Sequence, residues 1–226
     1  MRRNGDVLVS LEQQVDPAHT ALVIVDVQND FVHPEGRMSK NVVQYWKDTT
    51  SLIPPMLENL ERFLQTARRV EIPVVFVQMI GDLKYQSPAG MAQRLRNGSA
   101  EGHVCLEGSW GADFYGDIHP SDREQEFVVQ KHRYSAFWGT NLEMVLRSNG
   151  IETLLMTGDA TNGCVESTTR DAFCNDFYVV TVADCCGDFD VGRHEFSLRK
   201  MEQAYGYVVQ SEEIGDIWRR GEFLPA

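Results

Sequence analysis

Six short runs of apolar, mostly β-branched residues are spaced along the chain, and they predict the strands of a sheet. The first run is continuous rather than alternating, which is typical of a strand buried on both faces of a parallel sheet. The predicted strands cover residues 21–25, 73–77, 127–129, 153–157, 178–182 and 207–209.

Helical patterns separate several of these strands. Apolar residues at three- and four-residue spacing predict an amphipathic helix over 53–67, with Pro54 and Pro55 in its first turn. A second helix is predicted over 142–147, ended by Gly150, and a third after Cys164. This alternation predicts an α/β protein with a three-layer Rossmann-like fold, a six-stranded mostly parallel sheet and helices on both faces.

The interval 81–120 departs from this alternation, because it is rich in Gly, Ser, Asp and Asn and has weak periodicity. A loop of this length inside a compact domain is usually functional or poorly ordered. We therefore expect the interval to serve the substrate site or an oligomer contact. The chain as a whole, residues 1–226, is predicted to be a single domain.

Composition narrows the possible partners and the compartment. The chain of 226 residues has a formal net charge of -12 and no concentrated basic patch, which disfavours nucleic acid and membrane surfaces as partners. Arg2 and Arg3 are not followed by an apolar run, so we expect no signal peptide. The five cysteines are sparse and lack a CxxC pair, which favours a reducing cytoplasm.

Polar residues at the ends of predicted strands are the first candidates for chemistry, because ligands of open parallel sheets bind beyond the carboxyl ends of the strands. Asp26 follows the first strand, Lys131 the third, and Cys164 lies in the turn after the fourth. Taken singly, these residues could be a turn cap, a surface charge and a buried apolar thiol. Together they predict a catalytic site.

Cys164 is the candidate nucleophile. A cysteine at a helix start lies near unpaired N–H groups and the positive end of the helix dipole, which favours the thiolate. A nearby lysine would lower its pKa further, and a carboxylate could accept the thiol proton. Backbone N–H groups of Cys164 and the preceding turn could bind an oxyanion.

An ordered motif consists of residues 25–31 (VDVQNDF), Lys131 and residues 158–165 (GDATNGCV). With it, the chain resembles the isochorismatase-like cysteine hydrolases over nearly its whole length. The resemblance implies a catalytic triad of Asp26, Lys131 and Cys164. It also implies a non-proline cis peptide near Asp159-Ala160, with the Ala160 and Cys164 N–H groups as the oxyanion hole.

Residues next to Lys131 and Cys164 indicate which group within this family the chain most resembles. Residues 131–137 (KHRYSAF) and 161–168 (TNGCVEST) look closest to the ureidoacrylate amidohydrolases and related ureide hydrolases. Residues 78–80 (QMI) depart from that group, which tends to carry an asparagine and a tryptophan there. Nicotinamidases typically carry a histidine-containing metal motif in this region, and residues 78–84 (QMIGDLK) have none.

Further residues receive weaker predictions. The six histidines are scattered without an i, i+4 pair, so we predict no metal site and no cofactor. Glu166 and Arg170 are spaced for a local ion pair, and the adjacent Cys185 and Cys186 for packing. Candidate substrate contacts are Asn29, Gln78, Tyr134 and Asn162.

The sequence therefore predicts an amidohydrolase that cleaves a carbon–nitrogen bond of a small ureido or N-carbamoyl compound, ureidoacrylate-like or biuret-like. In this hypothesis Asp26 accepts the proton of Cys164, Lys131 stabilises the charged pair, and a thioester intermediate forms. The alternatives are a nicotinamidase-type carboxamidase and a non-catalytic binding protein. Family resemblance also implies a homodimer or homotetramer.

Overall fold

The sheet contains six strands, and all of its pairings are parallel. The computed structural model describes residues 7–40, 51–96, 104–221 and 223. The strand order is β3-β2-β1-β4-β5-β6, which confirms the predicted α/β fold. The strands are β1 (Thr20–Val25), β2 (Val74–Met79), β3 (Glu126–Lys131), β4 (Thr153–Asp159), β5 (Tyr178–Gly187) and β6 (Gly206–Val209).

Helices cover both faces of the sheet. The predicted helices over 53–67 and 142–147 and after Cys164 are present as α3 (Ile53–Val70), α5 (Leu142–Ser148) and α6 (Glu166–Cys174). The α-helices of the described residues are α1 (Leu11–Gln14), α2 (Asn29–Val32), α3 (Ile53–Val70), α4 (Pro88–Arg96), α5 (Leu142–Ser148), α6 (Glu166–Cys174), α7 (Val191–Ala204) and α8 (Ser211–Arg220). Among the described residues, no helix is both long enough and apolar enough to cross a membrane.

Strand β1 shows why the predicted runs are continuous rather than alternating. Leu22 and Ile24 pack into one core with the apolar face of α3 and with α8. Ala21, Val23 and Val25 pack into a second core with α5 and α6 on the opposite face. Each side chain of this strand is therefore buried. Its one polar residue, Thr20, donates its hydroxyl to the Gln14 and Asp16 carbonyls.

Five of the described α-helices were not predicted from the sequence, and two of them, α1 and α2, span only four residues each. Helix α4 lies within the interval 81–120 and buries none of its residues. Helix α7 buries only Ser197 and Met201. Neither helix presents a continuous apolar stripe, which is the signal that periodicity detects. Helix α8 has such a stripe, ending in the buried Trp218, but it spans only 10 residues.

The strand order reverses direction between β1 and β4. The chain adds β2 and β3 on one side of β1 and then returns to place β4 on the other side. This reversal opens a crevice beyond the carboxyl ends of β1 and β4, where ligands of open α/β sheets bind. Asp26 and the turn that carries Cys164 both begin there.

Gly158 is the point of closest approach between these two strands. It pairs with Val25 and has a φ of 111°. A Cβ atom at Gly158 would lie 2.1 Å from the Val25 carbonyl oxygen. Only glycine therefore fits this position, for reasons of both backbone conformation and space.

We predict that Gly158→Ala is strongly destabilising. Positive φ costs about 1–2 kcal/mol and the clash with Val25 about 1–3 kcal/mol, so the free energy of unfolding should fall by about 3 kcal/mol. Gly150→Ala is the matched control, because Gly150 also has a positive φ, 69°, but open space around its Cα. Urea denaturation checks both variants. Equal losses would show that the contact with Val25 is unimportant.

Candidate active site

The three residues predicted to be catalytic lie in contact with one another. Lys131 Nζ is 2.6 Å from Asp26 Oδ2 and 3.2 Å from Cys164 Sγ. The lysine thus lies between the carboxylate and the thiol. Asp26 and Cys164 also interact with each other, and each affects the pKa of the other.

Lys131 reaches this position from a distant strand. It is the last residue of β3, which is separated from β1 by β2. Its side chain is fully buried, and its Nζ lies 3.8 Å from Met79 Sδ at the end of β2. The ammonium group also donates to the Arg133 carbonyl at 3.1 Å, which fixes its orientation.

Asp26 is held in an unusual backbone conformation directly after β1. Its φ is 55°, in the left-handed region that aspartate tolerates better than most residues. Its N–H donates to the Val77 carbonyl at 3.0 Å. Neither carboxylate oxygen accepts a hydrogen bond of ordinary geometry within the described residues, so the Lys131 ammonium is its principal compensation.

Cys164 lies in one π-helical turn, Thr161–Val165, at the entry to α6. The Asp159-Ala160 peptide before it is cis, as predicted. Gly163 and Val165 both donate their N–H groups to the Ala160 carbonyl, whereas Cys164 does not. The Ala160 N–H makes no hydrogen bond to any described residue.

The electrostatics of this site differ from the sequence-based expectation of a lowered thiol pKa. Burial raises the pKa of the Cys164 thiol, and the Asp26 carboxylate adds to this effect, while Lys131 opposes it. Burial also raises the pKa of Asp26, against the opposing charge of Lys131. Burial alone would lower the pKa of Lys131, but its interactions with Asp26 and Cys164 outweigh burial and raise that pKa. The resting site therefore favours a neutral thiol beside a lysine cation.

A cavity of about 420 Å³ opens onto Cys164. One wall comes from the ends of β2 and β3, including Met79 and His132, and another from Tyr85 and helix α4. Tyr85 and His132 stack with ring centroids 3.9 Å apart, which joins the two walls. The interval 81–120 therefore contributes to the cavity, where the sequence predicted a role at the substrate site.

The four candidate substrate contacts occupy different places. Tyr134 is exposed and lines the cavity. Asn29 donates through Nδ2 to the Trp110 carbonyl at 2.9 Å, and Gln78 donates to the Ala112 carbonyl at 2.9 Å. Asn162 is exposed. None of these last three is among the described residues that line the cavity.

Two buried polar residues that sequence reasoning did not single out support the site. Gln28 donates to the carbonyls of Met79 at 2.9 Å and Ala112 at 2.8 Å, and accepts from the Met79 N–H at 2.7 Å. Asp30 Oδ2 accepts from the Cys105 N–H at 2.7 Å. Both lie in the motif of residues 25–31, so their position beside Asp26 was the sequence feature that could have identified them as part of the site. They attach the segment 105–112 to the ends of β1 and β2.

A second buried acidic group lies behind the Cys164 turn. Burial, with the charges of Asp188 and Asp26, raises the pKa of Asp159 well above its ordinary value. Its Oδ1 has no hydrogen-bond partner among the described residues.

Thr161 Oγ1 lies 2.9 Å from His194 Nδ1 and donates to the Gly187 carbonyl at 2.8 Å, so this hydroxyl joins the turn to β5 and α7.

The structure also shows the surroundings of the predicted ion pair, of the adjacent cysteines and of the potential metal ligands. Glu166 and Arg170 form the predicted ion pair, and Cys185 and Cys186 are buried free thiols. Within residues 7–40, 51–96 and 104–221, no group of three His, Cys, Asp or Glu side chains is placed to hold a metal ion.

An open parallel sheet with ionisable side chains grouped at its switch point is the arrangement of an α/β enzyme. Residues 20–213 match the Isochorismatase domain, and the chain belongs to this family of hydrolases. The predicted family and the predicted hydrolase class are thereby confirmed.

Several relatives share most of the chain's length. It is 31% identical over 221 residues to the ureidoacrylate amidohydrolase RutB of Methylobacterium radiotolerans, covering 92% of this chain and 83% of the relative. The protein of the same name from Pseudomonas savastanoi pv. phaseolicola is 32% identical, covering 89% of this chain and 84% of that relative. The structure of N-carbamoylsarcosine amidase from Thermoplasma acidophilum aligns with a TM-score of 0.67 at 28% identity, covering 86% of this chain and 97% of that one.

We predict that Gln28→Met destabilises the protein by about 2–6 kcal/mol, because the partly buried N–H and carbonyl groups of Met79 lose their hydrogen bonds to Gln28 at about 1–3 kcal/mol each. Gln78→Met is the matched control, since Gln78 also donates to Ala112 but is less buried. The Ala112 carbonyl keeps Gln28 as a donor in that variant. Urea denaturation measures both, and a smaller loss for Gln28→Met than for Gln78→Met would contradict the role of Gln28.

We also predict that Asp159 makes stability depend on pH. Because the folded state raises its pKa, the folded protein binds more protons than the unfolded chain above about pH 4. Its contribution to stability therefore falls as pH rises, by up to about 1.4 kcal/mol per pH unit until the raised pKa is passed. Asp159→Asn should flatten the pH profile of the unfolding free energy. The exposed Asp122→Asn should leave it unchanged, and equal slopes in both variants would refute the prediction.

Proposed function

We propose that this protein is a cysteine-dependent amidohydrolase that cleaves a carbon–nitrogen bond of a small ureido or N-carbamoyl compound. One observation carries the proposal: Lys131 Nζ lies 2.6 Å from Asp26 Oδ2 and 3.2 Å from Cys164 Sγ, and that thiol faces the cavity. A nucleophile, a base and a cation are thus in mutual contact where a substrate can enter.

The directions of the pKa shifts support the first steps of this mechanism. Because the pKa of Cys164 is raised by burial, the thiol keeps its proton until substrate arrives. Asp26, whose own pKa is raised, is a stronger base than an ordinary carboxylate, and it accepts that proton as the sulfur attacks the carbonyl carbon. Lys131 remains protonated and stabilises the negative charge that develops on the sulfur.

The turn before α6 supplies the second part of the mechanism. The Ala160 and Cys164 N–H groups bind the oxyanion of the tetrahedral intermediate. In support, the Ala160 N–H has no partner among the described residues, and the Cys164 N–H is not directed at the Ala160 carbonyl as its neighbours are. When the intermediate collapses, the leaving nitrogen takes the proton from Asp26. Water, deprotonated by the same carboxylate, then cleaves the acyl-sulfur bond.

The substrate class rests on the named relatives. A ureidoacrylate amidohydrolase at 31% identity and an N-carbamoylsarcosine amidase at 28% identity both act on compounds that contain a carbamoyl nitrogen. The cavity volume of about 420 Å³ accommodates a small molecule of this kind.

A substrate screen separates this proposal from its alternatives. Ammonia release would be measured with ureidoacrylate, N-carbamoyl amino acids, biuret, simple amides and nicotinamide. The proposal predicts turnover of the ureido and carbamoyl compounds. Preferential hydrolysis of nicotinamide would favour a nicotinamidase-type enzyme, and no turnover of any compound would favour a binding protein.

We predict that Cys164→Ser lowers kcat on a ureido substrate by at least about 10⁴-fold, because an alcohol replaces the nucleophilic sulfur. Cys174→Ser is the matched control, since Cys174 is also a free thiol but is exposed on α6. Circular dichroism of both variants shows whether the fold is retained. An acyl adduct on Cys164, detected by mass spectrometry with a slow substrate, would support the covalent step directly.

Two outcomes would contradict the mechanism. One is near-normal hydrolysis by Cys164→Ser. The other is an equal loss of activity in Cys174→Ser, which would indicate that thiol replacement acts through stability rather than through chemistry.

A further inference from the structure

A buried hydroxyl on α6 joins the backbone of Cys164 to the segment 132–136, which follows Lys131. Thr168 is fully buried, and its Oγ1 donates to the Cys164 carbonyl at 2.7 Å. The same oxygen accepts from the Ala136 N–H at 3.0 Å. A hydroxyl group can donate one hydrogen bond and accept others at the same time. Thr168 therefore connects the proposed nucleophile to the end of the strand that supplies the proposed cation.

This connection closes a ring of contacts around the reactive groups. Lys131 Nζ lies 3.2 Å from Cys164 Sγ and donates to the Arg133 carbonyl at 3.1 Å. Arg133 and Ala136 both belong to the segment after Lys131, and the Ala136 N–H leads back through Thr168 to the Cys164 carbonyl. The thiol of Cys164, through Lys131, and its backbone, through Thr168, are thus both held by that segment.

Both polar groups of the peptide that follows Cys164 are bound. Its carbonyl accepts from Thr168, and its N–H, which belongs to Val165, donates to the Ala160 carbonyl at 3.2 Å. These two bonds oppose rotation of the peptide and hold the backbone from which the Cys164 side chain projects. The position of the sulfur matters for the chemistry, because an error of about 1 Å in a reacting atom can cost about 100-fold in rate.

Thr169, the next residue on α6, is equally buried but makes no such connection. Its side chain is fully buried like that of Thr168, yet its hydroxyl has no hydrogen-bond partner among the residues that the structure describes. Neither threonine is among the described residues that line the cavity. The two residues thus share their type, helix and burial, and differ in what the hydroxyl binds.

We propose that Thr168 is a positioning residue, whose hydroxyl holds the Cys164 thiol in contact with Lys131. This inference rests on the proposed function, since it takes Cys164 as the nucleophile. Burial raises the pKa of this thiol and Lys131 opposes that effect, so a loosened contact makes the thiolate harder to form. Thr168 thereby acts on the reaction through the geometry of Cys164, without touching the substrate.

Kinetics of matched variants test this role. Thr168→Val removes the hydroxyl and keeps the shape of the side chain, and we expect kcat on a ureido substrate to fall by about 10- to 100-fold with KM little changed. Thr168→Ser keeps the hydroxyl and should retain most of the activity. Thr169→Val removes a hydroxyl without a described partner and should leave kcat and KM as in the wild type.

A second measurement needs no substrate. The rate at which iodoacetamide alkylates Cys164 at a fixed pH, followed by mass spectrometry, reports the thiolate fraction. We expect alkylation to be about 10-fold slower in Thr168→Val, because a rise of one unit in the thiol pKa lowers that fraction about 10-fold, and unchanged in Thr168→Ser and Thr169→Val. Circular dichroism reports whether each variant folds. Thr168→Ala also lacks the hydroxyl and replaces Thr168→Val in both measurements if valine prevents folding.

The outcomes separate this inference from the proposed function. An alkylation rate of the hydroxyl-free variant equal to that of the wild type overturns the role of Thr168, whether or not kcat falls, and so does an equal slowing in Thr168→Ser or Thr169→Val. Slower alkylation in the hydroxyl-free variant alone supports it. If the wild-type protein hydrolysed none of the ureido compounds, the proposed function would fail, and the alkylation rates would still decide whether Thr168 positions the thiol.

Discussion

Lys131 and Asp26 form an ion pair in the protein interior, with Nζ and Oδ2 2.6 Å apart and both side chains almost fully buried. Transfer of two charges out of water costs several kcal/mol per ion, and only close mutual contact offsets it. The pair therefore requires the ends of β1 and β3 to keep a fixed relation across the intervening β2. The position of Cys164 beside Lys131, the orientation of the cavity and the proposed chemistry all depend on this contact.

The surrounding polar residues make that relation rigid. Gln28 binds both the N–H and the carbonyl of Met79 and the carbonyl of Ala112, which holds the ends of β1 and β2 together. Asp30 binds the Cys105 N–H and leaves no room for a side chain at Gly111, where a Cβ would lie 2.2 Å from Asp30 Oδ2. Buried polar networks of this kind specify one arrangement, because any slip leaves several groups unsatisfied. The segment behind the cavity is thus fixed by the same motif that supplies the proposed base.

Burial has a second consequence, which concerns the timing of the proposed chemistry. A solvent-exposed cysteine beside a lysine would carry a permanent thiolate, open to oxidation and to reaction with unrelated electrophiles. Here burial raises the pKa of the thiol, with the Asp26 carboxylate adding to the effect, so the sulfur becomes a nucleophile only when Asp26 accepts its proton.

The sequence by itself determined the parallel α/β sheet and the catalytic candidates at three strand ends, because buried strands must be apolar and the first polar residue after each run marks its end. The family followed from the resemblance carried by residues 25–31, Lys131 and residues 158–165. Helix α4 was missed because it buries no residue, so no periodic apolar pattern records it. The tertiary structure alone decided that Asn29 holds the Trp110 carbonyl, that Gln28 joins two strands and that the Cys164 pKa is raised. These properties depend on distance and desolvation between segments far apart in the chain, and local patterns of residue type contain no information about such distances.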